Sequence, residues 1–205
     1  MTASTIDLIV GLGNPGPEYD ATRHNVGFWL VDTVVADQGQ RFSREPKFRG
    51  DVAKIVLAGK TVWLLKPATF MNRSGEAVAA LASFYKISPE NILIVHDDLD
   101  LPAGAVRLKK GGGHGGHNGL RSLIECLGSA DFMRLRLGIG HPGDREQVVN
   151  YVLHRASAED ERLITEGINA AVSELARIVG GDTAKSMQVL HTKFKPLSDA
   201  PANGN

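Results

Sequence analysis

Thr22-Arg-His-Asn25 places a histidine just ahead of a segment with apolar residues at helical spacing (Val26, Phe28, Trp29, Val31, Val34, Val35). The positive end of a helix dipole disfavours imidazolium, so His24 is expected to stay neutral and able to take a proton, as a general base must. A plainer reading is a histidine satisfied by backbone at a helix start. His96-Asp-Asp-Leu-Asp100 ends the most strand-like run of the chain, Asn91-Ile-Leu-Ile-Val-His96. Ligands of open α/β sheets gather at the C-terminal ends of strands, so Asp97 could orient a catalytic histidine there. A solvated turn before Leu101-Pro102 is the simplest local reading of Asp97, Asp98 and Asp100, ahead of a magnesium site, which comes last of the three.

Residues 111–119 hold six glycines with His114, His117 and Asn118 among them. A flexible linker would be the bland reading, but the segment feeds a helix, and glycines let backbone approach a ligand closely. A site of three histidines (24, 96, 117) is conceivable, yet no metal-ligand spacing supports it. Asn14 and Asn72 sit in loops and read first as a turn residue and a helix cap; with Asn118 they would suit a neutral hydrogen-bonding site. Cys126 lies on an apolar helix without a basic neighbour and reads as core packing.

The elements that must position these residues follow from the apolar pattern. Strands are expected over 6–12, 51–57, 61–65, 91–96, 105–109 and 134–139, the second and third joined as a hairpin by Gly59-Lys60. Helices are expected over about 26–35, 76–85, 118–127 and 158–179, the last stopped by Gly180-Gly181. Residues 38–49 read as a loop or irregular edge. Strands alternating with helices give an α/β fold, a three-layer α/β/α sandwich; the hairpin makes its sheet mixed, though mostly parallel. One domain over 1–195 fits 205 residues, with a disordered tail over 196–205.

Other classes drop out. Gly11-Leu-Gly-Asn-Pro-Gly16 matches the dinucleotide-binding glycine pattern, but Pro15 and Pro17 bias Asn14 and Gly16 away from helix, and no acid stands at the end of a following strand. Walker, nucleophile-elbow and zinc-helix motifs are absent. One cysteine cannot make an internal disulfide, and no apolar run is long enough to span a membrane. A cytoplasmic protein is expected.

Taken together, several blocks resemble the bacterial-type peptidyl-tRNA hydrolases. They are Val10-Gly-Leu-Gly-Asn-Pro-Gly16, Tyr19, Thr22-Arg-His-Asn-Val-Gly27, Lys66-Pro-Ala-Thr-Phe-Met-Asn-Arg-Ser-Gly75, His96-Asp-Asp-Leu-Asp-Leu-Pro102, the run 111–120 and Phe132-Met-Arg-Leu-Arg-Leu-Gly-Ile-Gly140. They occur in the family's order over about 6–190. The resemblance implies a monomer without cofactor or metal that hydrolyses the ester between a peptide and the tRNA 3′ ribose, recycling tRNA from prematurely released peptidyl-tRNA. It implies His24 as the base that activates water, Asp97 as its orienting carboxylate and Asn14 as a further catalytic-site residue. Tyr19, Met71, Asn72, His117 and Asn118 would contact substrate, and Arg107, Lys109 and Arg136 the tRNA. The alternative is a non-catalytic RNA-binding module on the same scaffold, which would not need His24, Asp97 and three asparagines together.

Net charge is zero, which argues against indiscriminate coating of nucleic acid. The sum hides blocks: 41–73 carries +6 and 104–136 carries +4, against −4 in each of 1–40, 74–103 and 144–174, with +2 in 175–205. The two positive blocks are expected to form one basic rim for tRNA phosphates.

Overall fold

A computed structural model describes residues 5–193. Among them, every strand joins one seven-stranded sheet: β1 (Leu8–Gly11), β2 (Ser43–Glu45), β3 (Gly50–Leu57), β4 (Lys60–Pro67), β5 (Ile92–Asp98), β6 (Val106–Lys110) and β7 (Met133–Gly138), in the spatial order β2-β3-β4-β1-β5-β7-β6. The central neighbours β4, β1, β5 and β7 run parallel. Antiparallel pairings close both edges, β2 on β3 and β3 on β4 at one side, β6 on β7 at the other. The central strands are continuous apolar runs because helices cover both faces. The β3–β4 hairpin turns on Ala58 and Gly59, both at positive φ, and Leu57 faces Lys60 across it.

One face of the sheet carries α1 (Val26–Asp37) and α5 (Ala158–Val179), packed on Ile9, Leu64, Leu93, Val95, Leu135 and Leu137. The other carries α2 (Ser74–Tyr85) and α3 (Asn118–Leu127), packed on Leu8, Val10, Leu65, Ile92, Ile94 and Phe132. The expected α/β/α sandwich is therefore the observed architecture. Helix α5 starts where the Ser157 hydroxyl accepts the Asp160 N–H, with Glu159, Asp160 and Glu161 in the first turn favoured by the helix dipole.

Two helices escaped the apolar pattern, α4 (Val148–Val152) and α6 (Thr183–Lys193). Neither buries enough to show a period: α4 buries Val152, and α6 buries Ser186 and Leu190. Helix α6 lies along the edge strand β6, where His191 Nε2 accepts the Leu108 N–H at 3.1 Å. That bond covers part of an otherwise open sheet edge. Cys126 corrects the sequence reading, since it is exposed on α3. The tail at 196–205 lies outside the described residues.

The start of α1 fits against the sheet with no side chain between. A Cβ on Gly27 would stand 2.5 Å from the carbonyl oxygens of Leu12 and Val95, and one on Gly11 2.4 Å from that of Gly27. Those distances exclude any larger residue without movement of backbone.

Candidate active site

His24 occupies a 3-10 turn (Arg23–Asn25) that leads into α1, and Asp97 is the penultimate residue of β5. Asp97 shares a face of β5 with Leu93 and Val95, the face against which α1 packs, so strand alternation turns its carboxylate toward that turn. His24 Nδ1 lies 2.9 Å from both Asp97 oxygens. From the other side His117 Nε2 meets Asp97 Oδ1 at 2.9 Å.

The protons in this chain can be assigned. His117 is the N-cap of α3, and its Nδ1 accepts the N–H groups of Gly119 (3.1 Å) and Leu120 (3.3 Å). Its proton therefore sits on Nε2 and is donated to Asp97. The carboxylate then accepts a second donor from His24 Nδ1–H, which leaves His24 Nε2 as the accepting nitrogen. Behind them His96 donates Nδ1–H to the Asp97 carbonyl at 2.7 Å, and its Nε2 is buried without a partner.

Charge follows from the same contacts. Burial alone would raise the Asp97 carboxyl, but His24 and His117 outweigh it and hold it far below the carboxylate range. Burial would lower His24, yet the Asp97 charge and hydrogen bond leave it raised above 6.5. This corrects the expectation from the helix dipole: Asp97, which the local sequence does not place, decides the direction. Burial, with His117 nearby, pushes His96 down to about 4, so that ring is neutral.

These groups open into a cavity of about 980 Å³ lined by Asn14, Met71, Asn72, His117 and Asn118, along with His24 and Asp97. Asn14 is held in place on three sides. Its N–H donates to Asn25 Oδ1 and its carbonyl accepts from Asn25 Nδ2, both at 2.9 Å, while its own Oδ1 accepts the Met71 N–H at 2.7 Å. Because Met71 N–H can only donate, the Asn14 amide nitrogen must lie on the other side. Asn72 does not cap a helix; it is exposed within the turn Met71–Arg73 on the cavity wall.

The three aspartates do not converge. Asp97 serves the histidines, Asp98 accepts from Arg136 Nε at 2.7 Å, and Asp98 Oδ1 also takes the Asp100 N–H at 2.9 Å. The one metal-like cluster among the described residues is His24, Asp97 and His117. An ion there would have to displace the Nε2 proton of His117, whose other nitrogen is occupied by the α3 cap.

The positive blocks also separate. On the β6–β7 edge Arg107 faces Arg136 and Lys109 faces Arg134, on the face opposite Val106, Leu108, Leu135 and Leu137. Lys109, Arg134 and Arg136 line the cavity together with Arg121 and Arg145, whereas Arg107 does not. The 41–73 block lies mostly on β2, β3 and β4, across the sheet, and several of its cations are paired: Arg44 with Asp51, Lys66 with Asp32, and Arg49 and Arg73 with Glu76. The single rim expected from sequence is therefore two surfaces, of which only one borders the cavity.

Tyr19 stands outside the lining, edge-on to Phe70, which does line the cavity and is itself 56% exposed. Sequence reasoning gave no role to Phe70, Asn25 or Arg134. Arg134 is buried, stacked on Phe132, with its guanidinium donating to the carbonyls of Gly112 and Gly113. It pins the glycine-rich loop to β7. No local pattern marks a buried arginine of this kind, because its partners are backbone carbonyls.

The chain is similar to known proteins along most of its length. The family model for peptidyl-tRNA hydrolase matches residues 8–197. A peptidyl-tRNA hydrolase of Neisseria gonorrhoeae is 54% identical over 93% of this chain and all of its own length. One from Halorhodospira halophila is 54% identical over 90% of this chain and 95% of its own. The crystal structure of peptidyl-tRNA hydrolase from Acinetobacter baumannii superposes with a TM-score of 0.89 at 46% identity, covering 93% of this chain and 97% of that one. Among the described residues no helix is long and apolar enough to cross a membrane. With fold, motif order and matched length in agreement, the chain belongs to the peptidyl-tRNA hydrolase family.

Proposed function

We propose that this chain cleaves the ester joining a peptide to the 3′ ribose of tRNA, with His24 as the base. The supporting observation is the hydrogen-bonded chain His117–Asp97–His24, which leaves His24 Nε2 the accepting nitrogen at a cavity wall. Water gives its proton to Nε2 as its oxygen bonds to the ester carbonyl carbon. Asp97 stabilises the resulting imidazolium, and the Asn14 amide donates to the oxyanion. The bond to the ribose oxygen then breaks, and that oxygen recovers the proton from His24. The peptide leaves as a carboxylate, the second proton of the water passing to solvent, and the tRNA leaves with a free 3′ hydroxyl. An aminoacyl ester is already activated, so no covalent nucleophile is required.

Asn72 and Asn118 position the peptide through its backbone, Met71 and His117 complete that wall, and Tyr19 acts through Phe70. Lys109 and Arg136 contact tRNA phosphate, with Arg107 farther along the same strand pair. The scheme above uses no metal or other cofactor: its base is an imidazole and its donors are side-chain amides. In this reading the enzyme works as a cytoplasmic monomer, its one domain supported by the single sheet that carries all the described strands.

The deciding experiment compares purified protein on peptidyl-tRNA and on free aminoacyl-tRNA, with and without EDTA. Release of tRNA from the peptidyl substrate, unchanged by chelator, is the expected result. RNA binding without ester cleavage would make the chain a binding module, and loss of rate in EDTA would restore a metal to the site. Affinity should also fall steadily as salt rises, because phosphate contacts release counterions. A KM flat from low to high salt would remove the β6–β7 edge from the tRNA interface.

A further inference from the structure

Arg23, the neighbour of the proposed base, is a buried cation that the scheme above leaves unused. It is 8% exposed, and its Nη1 lies among three carbonyl oxygens: Tyr151 at 3.2 Å, His154 at 3.3 Å and Arg155 at 2.9 Å. Those carbonyls belong to the C-terminal end of α4 and the residues just after it, where helix carbonyls have no partner within the helix and a cation is favoured. The guanidinium also lies over the Tyr151 ring, 3.9 Å from its centre, and Nη2 stands 3.8 Å from Asp160. Two backbone contacts run alongside, the Arg23 N–H to the His154 carbonyl at 3.1 Å and a bridge between Thr22 and Arg155. Tyr151 is fixed in turn by its hydroxyl, which donates to the Ile139 carbonyl at 2.7 Å.

What this strap holds is one wall of the cavity. Val148, Val149, Val152 and Leu153 line it; α4 has five residues, of which Val152 is buried, with Tyr151 and the following Leu153 only partly buried against the core, so packing leaves much of the wall to be held by polar contacts. His24, by contrast, is held by Asp97, and its turn by the Asn25–Asn14 bonds, none of which involves the guanidinium.

We infer that Arg23 is a positioning residue, which sets the apolar α4 wall at a fixed distance from the base and so governs how tightly the acyl side of the substrate is held. This rests on the esterase reading, in which the acyl group occupies the cavity. Replacing Arg23 with Met is expected to raise KM for peptidyl-tRNA about tenfold, from the loss of charge-assisted bonds to carbonyls, with kcat and the acid limb of the pH profile nearly unchanged. Arg23→Lys keeps a cation with three donors and is expected to restore most of the KM.

Amide hydrogen exchange supplies a readout that needs no activity. Residues 145–155 should exchange faster in Arg23→Met and return toward wild type in Arg23→Lys, with β5 unaltered. Unchanged KM with reduced kcat would show only a loss of folded enzyme and overturn the inference, as would unchanged exchange over 145–155. Should Arg23→Met fail to fold, a wild-type KM and wild-type exchange in Arg23→Ala or Arg23→Gln would overturn it as well. Failure of the wild-type protein to cleave peptidyl-tRNA would defeat the functional reading instead, while exchange would still test the strap.

Discussion

His24→Ala is expected to lower kcat for peptidyl-tRNA by about 10²- to 10⁴-fold, the range a positioned general base supplies. KM should change little, because the asparagines and the basic edge that hold the substrate lie on other elements. The residual rate comes from orientation and from the Asn14 donor. The variant should fold, since the partners of Asp97 include His117 as well as His24, and the turn keeps its Asn25–Asn14 bonds. Single-turnover hydrolysis with saturating enzyme is the measurement. A kcat within a few-fold of wild type would remove His24 from the base role.

Asp97→Asn carries the second large effect, and the tautomers dictate its direction. Two N–H groups point at the carboxylate, and an amide can accept at one end only. His117 cannot exchange its tautomer without giving up the α3 cap. With the amide oxygen kept at the Oδ1 position by His117, the amide N–H group at the Oδ2 position lies 2.9 Å from His24 Nδ1 and favours the tautomer that accepts there and presents Nε2–H to the cavity. That form is no base, and a fall of about 10³- to 10⁴-fold is expected by analogy with an orienting carboxylate in a triad. The pH profile gives a separate check. In the wild type the Asp97 charge raises His24 above 6.5, so activity should increase with pH through a value above 6.5. Without that charge only burial remains, and any residual activity should show its acid limb below 6.5. An acid limb that stays above 6.5 in the variant would assign it to another group.

The same shift acts on stability in the opposite sense. A histidine raised in the folded state stabilises it below the unfolded value, and that contribution disappears as pH rises through the folded pKa. The pair thus contributes most to the fold where the base is protonated and idle.

Much of this was legible from residue order. The runs at 91–96 and 158–179 carry their own period and caps, so β5 and α5 appear close to where the pattern puts them. His24 and Asp97 could be suspected because one precedes a helix and the other ends a strand. Their contact across 73 residues of chain is a product of the sheet order. What stayed hidden has a common cause. Asn25, Arg23 and Arg134 are polar side chains spent on backbone groups of distant segments, and no periodicity records such partners. The single basic rim failed for a related reason, since charge blocks near in sequence arithmetic fall on opposite sides of the sheet once β1 and β5 intervene. Asn72 read as a cap because loop asparagines usually are one; here the turn Met71–Arg73 starts the helix without it.

The contact of Gly11 and Gly27 has a bearing on how this protein can vary. Where the helix meets the strands atom on atom, the spacing of base and carboxylate is gauged by main chain and not by the sizes of core side chains. Exchanging Val31 or Leu30 for neighbours of other volume would soften the molecule while leaving that gauge unmoved. Stability and chemistry are in this sense separately adjustable, and the core can drift through many sequences around a fixed pair of reacting groups.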